Sequence, residues 1–351
     1  MQWFEPVVWI LSSFLIGVTV LPLLNTAKWW VRVWDYPRFQ VAMALALMLA
    51  IQVLTLPMTA ATLALLLATL ACLGWQLFCV YPYTPLKRRQ VRPGDATATG
   101  NTISILVANV LQTNRDAATF LRRIEETSPD IILAVETSGW WDAQLSTLRK
   151  RYPYAVTHPQ ENTYGMHLFS RLELRDVRVQ ERVAPGIPSL SARVRLPSGP
   201  LINLHCVHPE PPQVGNDVEK RDAELLLVGR EVAGDRRPTI VCGDLNDVAW
   251  SHTTRLFQRV SGLLDPRVGR GFFSTFHAAY WFARWPLDHV FHDASFRLAG
   301  LQVLGPIGSD HFPVFVRLVH DPSAVREHEP PMADGAVQRE ASAKIAQGAQ
   351  E

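Results

Sequence analysis

The sequence predicts an α/β (α+β) protein, mixed β-sheets covered by helices, set behind three membrane-spanning helices. Two observations predict it. Three long apolar stretches lie within residues 1–86. Between 101 and 320, short β-branched runs alternate with amphipathic segments at helical spacing, with several hairpin-length gaps. That second region is long enough to bury a large core.

Residues 4–24 carry one charge, Glu5, and have the length of a bilayer-spanning helix. A cleaved signal peptide would need a basic leader and a small-residue cleavage site, and neither is evident. Residues 25–40, NTAKWWVRVWDYPRFQ, interleave Lys28, Arg32 and Arg38 with Trp29, Trp30, Trp34 and Tyr36. Tryptophan and tyrosine favour the headgroup layer, so this stretch reads as an interfacial loop or short amphipathic helix. Two further uncharged stretches, about 41–57 and 60–80, form a helical hairpin. Lys87, Arg88, Arg89 and Arg92 follow. By the positive-inside rule, both basic clusters and everything after residue 87 lie in the cytoplasm, with the N-terminus outside; an extracytoplasmic C-terminal region is the alternative.

Residues 87–100 read as a basic and polar linker, 101–320 as the soluble domain, and 321–351, poor in large apolar residues, as a disordered tail. Within 101–320, strands are expected at 102–110, 129–136, in four runs between 164 and 207, and at 286–292, 296–304 and 313–319. Helices are expected at 115–127, 217–233 and 252–260. The formal charge of +2 shows no gross basic excess of the kind a nucleic-acid coat protein carries, although a local patch is compatible with it. The four cysteines lack disulfide or zinc spacing; Cys206 and Cys242 sit in strand-like runs as small core residues.

The stretch TIVCGDLND, residues 239–247, organises the rest. A β-branched run stops at Gly243 and presents Asp244 and Asn246 at its C-terminal end, where open α/β sheets usually place their chemistry. Other polar groups stand where apolar runs end: Asn109 after ISILVA, Glu136 after IILAV, His205 and His208 in INLHCVH, Asp288 and His289 in WPLDHVF, and Asp310 and His311 in IGSDHF. Singly, each has a plain structural reading as a turn former, a helix-cap neighbour or a core histidine. Together they suit a site, because a buried carboxylate is costly unless paired or metal-bound. Carboxylate and amide oxygens suit a hard divalent cation, so Glu136, Asn109 and Asp310 would suit Mg²⁺.

The ordered set Asn109, Glu136, His205, GDLN, LDHV and SDH resembles the endonuclease/exonuclease/phosphatase superfamily over about residues 101–320. WWVRVWDYPR with the apolar spans resembles bacterial membrane-anchored members. The resemblance implies a four-layered sandwich, two mixed sheets with helices outside. It implies Glu136 as the principal Mg²⁺ ligand (Mn²⁺ as substitute), helped by Asn109, with Asp310 near the metal. It implies Asp244 as the group that orients or deprotonates water and Asn246 as an amide on a phosphate oxygen. His311 would contact the scissile phosphate with Asp288 orienting it, and His205 would be the second histidine. No damaged-DNA recognition insert is apparent. His167, in YGMHLFS, reads as a core or rim histidine.

The expected protein is thus a multi-pass enzyme of the bacterial inner membrane, a metal-dependent phosphoric ester hydrolase. Its expected partners are membrane lipids and a phosphate-ester substrate, lipid or nucleic acid, with no stable protein partner. A membrane-tethered nuclease and a catalytically degenerate membrane scaffold are the alternatives.

Overall fold

A computed structural model describes residues 4–24, 26–95, 97 and 100–350. Asn25 of the interfacial stretch, positions 96, 98 and 99 of the expected linker, and Glu351 lie outside the described residues. Among the described residues, three helices are long and apolar enough to cross a membrane: Phe4–Leu23, Arg38–Thr55 and Ala60–Tyr83. Their regular α-helical parts are α1 (Phe4–Val20), α3 (Arg38–Thr55) and α4 (Ala60–Val80), and the short α2 (Trp29–Arg32) lies in the first connection. Few polar groups face inward here, and they find each other. Gln52 donates to Ser12 Oγ at 2.7 Å and to Thr69 Oγ1 at 3.0 Å, while Gln76 donates to Thr19 Oγ1 at 3.1 Å. Interhelical hydrogen bonds of this kind hold helices together where apolar burial supplies no driving force.

The next elements are β1 (Thr102–Asn109), α5 (Ala117–Thr127), β2 (Ile131–Val135), α6 (Gly139–Leu145), β3 (Tyr154–His158), β4 (Met166–Ser170) and β5 (Leu174–Glu181). They are followed by β6 (Pro188–Arg195), β7 (Leu201–Cys206), α7 (Glu219–Gly234), β8 (Thr239–Asp244), α8 (His252–Ser261), β9 (Asp288–His292), β10 (Phe296–Val303), β11 (Val314–His320) and α9 (Gly335–Gly348). The strands form two mixed sheets, ordered β10-β11-β1-β2-β4-β3 and β5-β6-β7-β8-β9. In each sheet one central pair, β1 with β2 and β7 with β8, is parallel.

Strand parity builds the layers. Ile103, Ile105 and Val107 of β1 face Ile202, Leu204 and Cys206 of β7 and Ile240 and Cys242 of β8 in one central core. The alternate residues face outward and are covered by helices. Leu106 and Ala108 meet Phe120 and Ile124 of α5 and Trp141 of α6. Val241 and Phe291 meet Leu225 and Val228 of α7 and Phe257 of α8. The four-layered α+β arrangement is therefore present.

Two regions differ from the sequence reading. The segment after residue 320 is ordered where described. Val337 and Ala341 of α9, four apart on one face, are buried against Leu226, Leu256 and Val260, and Lys344 Nζ reaches Asp222 Oδ2 at 2.8 Å. The interfacial stretch also differs: Arg32, Asp35 and Arg38 are buried rather than turned to headgroups. Arg32 and Arg38 both bond Asp35, and Arg38 also reaches Gln76 Oε1 at 3.2 Å.

The N-terminal helices and the connections between them pack directly on the α+β domain. Trp250 Nε1 donates to Asp35 O at 2.8 Å, Tyr83 OH to Ala249 O at 2.7 Å, and Tyr36 OH to Asn246 O at 2.7 Å. Val80, Tyr83, Val248, Ala249, Trp250 and Leu287 form one buried cluster across the junction. The basic segment is tethered as well, since Val91 is buried in the central core and Gly94 N–H donates to Leu298 O at 2.8 Å.

Candidate active site

The parallel pairs bring strand ends from both sheets to one edge. Asn109 lies in register with Val135, so Glu136 follows at its side. Cys206 lies in register with Cys242, so Val207 and His208 run beside Gly243 and Asp244. Gly243 permits this approach. Its φ is +145°, and a Cβ there would stand 1.9 Å from Val207 O. Glu136 (φ +61°) and Asn246 (φ +50°) occupy left-handed backbone that side-chain-bearing residues rarely adopt, as residues at functional sites often do.

Asp244 is fully buried at the centre. Asn109 Nδ2 donates to Glu136 Oε1 at 2.7 Å and to Asp244 Oδ2 at 3.1 Å, bridging the two carboxylates. Asn109 Oδ1 accepts from Leu111 N–H at 3.0 Å. The Asn246 backbone N–H donates to Asp244 Oδ1 at 2.9 Å, and its Nδ2 to Pro209 O at 2.9 Å. His311 Nε2 lies 3.5 Å from Asp244 Oδ2, and its Nδ1 lies 2.8 Å from Asp288 Oδ2. Asp310 is half-buried beside His311, with Oδ1 3.3 Å from Ser309 Oγ.

The charges are strongly perturbed. Burial alone would lower the His311 pKa, but the Asp288 and Asp244 carboxylates outweigh it and raise it to about 10. Asp244 is itself pushed up, because burial and the Asp288 charge outweigh the pull of His311. Burial raises Glu136 and lowers His208.

His205 is not in this group. It lies in register with Val241, on the outer face of β7 rather than the face of Leu204 and Cys206. It lines an open groove with Asn203, Glu231 and Asp235, and burial followed by nearby Arg182 lowers its pKa. The second histidine at the site is His208, three residues on, with Nε2 4.0 Å from Asp244 Oδ2. The signal was the alternation itself: 202, 204 and 206 face the core, and 208 continues that parity. His167 is a core residue, with Nδ1 2.6 Å from Thr137 Oγ1 and Nε2 2.8 Å from Asp142 Oδ1.

Asp244, Asp288 and His311 offer ligand atoms all within 4.8 Å of one another, a group that could hold a metal ion. Asp288 Oδ1 is buried with no hydrogen-bond partner. The Asp244 and Asp288 carboxyl groups crowd the His311 imidazole and Asn109 links the Glu136 carboxyl to Asp244, an excess of oxygen donors that fits a divalent cation.

Among solved structures, an endonuclease/exonuclease/phosphatase from Beutenbergia cavernae DSM 12333 shares 19% identity at a TM-score of 0.52, covering 63% of this chain and 72% of that one. The human Nocturnin catalytic domain with bound sulfate anion shares 16% at 0.51, covering 62% and 93%. D. rerio TDP2 complexed with single-strand DNA product shares 16% at 0.50, covering 62% and 98%. No curated protein matches the chain. These likenesses give the fold of phosphoesterases and nucleases. The model of the Endonuclease/Exonuclease/phosphatase family matches residues 106–311, more than half of the chain, and spans Asn109, Glu136, Asp244, Asp288 and His311. The chain therefore belongs to the endonuclease/exonuclease/phosphatase family.

Proposed function

We propose that the protein is a membrane-anchored, Mg²⁺-dependent phosphoesterase that cleaves a phosphodiester or phosphomonoester by direct attack of water. One observation carries this reading: a buried carboxylate, Asp244, lies between a bridged Asn109–Glu136 pair and two histidines. Burial makes Asp244 a stronger base than an exposed aspartate, suited to take a proton from water. His311, charged and oriented by Asp288, donates toward a phosphoryl oxygen as negative charge develops there. His208, kept neutral by burial, donates a hydrogen bond to the phosphate or to the leaving-group oxygen. Asn246 steadies Asp244 through its backbone N–H and stands beside the same phosphate. Glu136, with Asn109 and Asp310 nearby, would hold Mg²⁺ (or Mn²⁺), which supplies Lewis acidity to the phosphoryl oxygens.

The three apolar helices support anchoring in a bacterial inner membrane, with Lys87, Arg88, Arg89 and Arg92 putting the catalytic domain on the cytoplasmic side. A tether raises the effective concentration of bilayer-borne substrates, so lipid-linked phosphate esters are favoured. The DNA product held by the similar D. rerio protein keeps nucleic acid as the competing class.

The deciding experiment is a Mg²⁺-supplemented panel of nucleic acids, phospholipids and isoprenoid phosphates, with Asp244→Ala and His311→Ala variants as controls. A lipid-borne ester is expected to be cleaved, and each variant to lose turnover while remaining folded. Cleavage of none of the panel would favour the scaffold alternative; a variant with near-normal rate would overturn the residue roles.

A further inference from the structure

The loop between Phe276 and Trp285 joins two places that the proposed function treats separately. At its inner end, the Phe276 ring lies 4.9 Å from the His311 ring, centroid to centroid. Thr275 Oγ1, just before it, accepts from the backbone N–H of Asp288 at 3.2 Å. At its outer end stand three consecutive aromatic residues, Tyr280, Trp281 and Phe282, which are 51%, 82% and 60% exposed. Their position is fixed against the anchor. Gln40 Nε2 donates to Phe282 O at 3.0 Å, and Gln40 is the third residue of α3, at the end where that span begins. Farther along α3, Met43 and Leu47 are 61% and 62% exposed, as side chains facing acyl chains are. Trp285 closes the loop against Tyr36 of the anchor, ring to ring at 5.9 Å.

A contiguous exposed aromatic patch on a protein surface marks an interaction site. Tyrosine and tryptophan favour the headgroup layer, with an apolar body and a polar tip. Continuity with the first turn of a membrane-length helix identifies the occupant as the bilayer that holds the anchor.

We propose that Tyr280, Trp281 and Phe282 form a lip inserted in that bilayer, and that the site opens at the membrane surface onto phosphate esters of amphiphiles lying in it. This rests on the anchored-phosphoesterase reading. The loop then has two ends with two tasks: the aromatic tip holds the apolar part of the substrate at the headgroup layer, and Phe276 packs beside the histidine that meets its phosphate.

The test uses the full chain in phosphatidylcholine nanodiscs. The four native cysteines are buried, so a fluorescent label is directed to one added thiol, at Trp281→Cys or, as a control, at Leu47→Cys. Lipids carrying a spin label near the headgroup are expected to quench the Trp281 site, and lipids labelled deep in the chain the Leu47 site. A Leu47 site untouched by lipid quenchers sinks the anchoring reading itself. A Leu47 site that is quenched, with a Trp281 site open to aqueous iodide and silent to lipid, overturns the lip alone. A second arm compares hexadecyl p-nitrophenyl phosphate in the disc with bis(p-nitrophenyl) phosphate in solution. The double variant Trp281→Ala, Phe282→Ala should lower the ratio of the two turnovers about ten-fold, as the loss of buried aromatic area implies. An unchanged ratio, or single-stranded DNA cleaved in preference to the bilayer ester, overturns the substrate class. Cleavage of neither ester counts against the phosphoesterase reading, and the quenching still decides the lip.

Discussion

Replacing Asp288 by Asn should release His311 from its charged state. His311 Nδ1 lies 2.8 Å from Asp288 Oδ2, and its Nε2 lies 3.5 Å from Asp244 Oδ2. Burial opposes the charged imidazole, and those two carboxylates overcome it, raising its pKa from 6.5 to about 10. Two unit charges about 4 Å apart at an effective dielectric near 20 interact by roughly 4 kcal/mol. At about 1.4 kcal/mol per pKa unit, losing Asp288 removes about three units and returns His311 to near 7. The sign follows from linkage. A folded-state pKa above the unfolded value contributes stability that is complete below pH 6.5 and is lost as pH rises through about 10. In Asp288→Asn that window closes, so this group's contribution is gone by about pH 8. Exchange of the imidazole C2 hydrogen, followed by mass spectrometry on metal-free protein, reads the His311 pKa directly. Urea unfolding across the same pH range reads its stability. A variant whose His311 still titrates near 10 would refute the pairing as the cause of the shift. A wild type equally stable at either end of that range would contradict the linkage.

Three further outcomes are expected. His208→Ala should lower turnover about a hundred-fold, as loss of a positioned acid–base or hydrogen-bonding group does, whereas His205→Ala should stay within a few-fold; equal losses measured by steady-state kinetics would put His205 back in the site. Glu136→Gln should raise the Mg²⁺ concentration needed for half-maximal rate or eliminate activity, and a superimposable metal titration would remove Glu136 as a ligand. Arg221→Met should cost about 3–5 kcal/mol in urea unfolding, because it leaves the buried Asp222 and Asp247 carboxylates without the guanidinium that lies 2.8 Å and 3.6 Å from them; a cost under about 1 kcal/mol would mean the charges are met elsewhere.

What the sequence disclosed, and what it hid, divides by range. Runs such as ISILVAN and TIVCGD specify strands locally, and a polar residue at the end of each apolar run marks the edge where the strands stop. That is enough to gather Asn109, Glu136, Asp244, Asp288 and His311 at one edge. The choice between His205 and His208 depended on which face of β7 meets the central core, and three residues of chain reverse the answer. Helix α9 lies where the sequence reads as a disordered tail with a nascent helix, because its buried face is made of Val337 and Ala341, small residues whose value comes from the groove between α7 and α8. The buried Arg32–Asp35–Arg38 cluster was read as a headgroup-facing stretch for a similar reason. Charges mixed with aromatics look interfacial until a partner surface, here the Trp250 region, covers them.

That coverage bears on how the site is held. The Asn246 carbonyl accepts from Tyr36, in the connection between α1 and α3, at 2.7 Å and from Arg221 of α7 at 2.9 Å, and the Asn246 N–H holds Asp244 Oδ1. Asn246 sits in a left-handed conformation that asparagine tolerates better than most residues, and the contacts on its carbonyl help hold it there. One of them comes from the N-terminal helical region. The same region closes an apolar cluster over Trp250, four residues farther along the chain. The N-terminal helical region is therefore part of the scaffold that positions Asp244. A fragment beginning after residue 86 would expose Trp250 and Leu287 and would leave Asn246 with Arg221 as the one donor to its carbonyl among those described here.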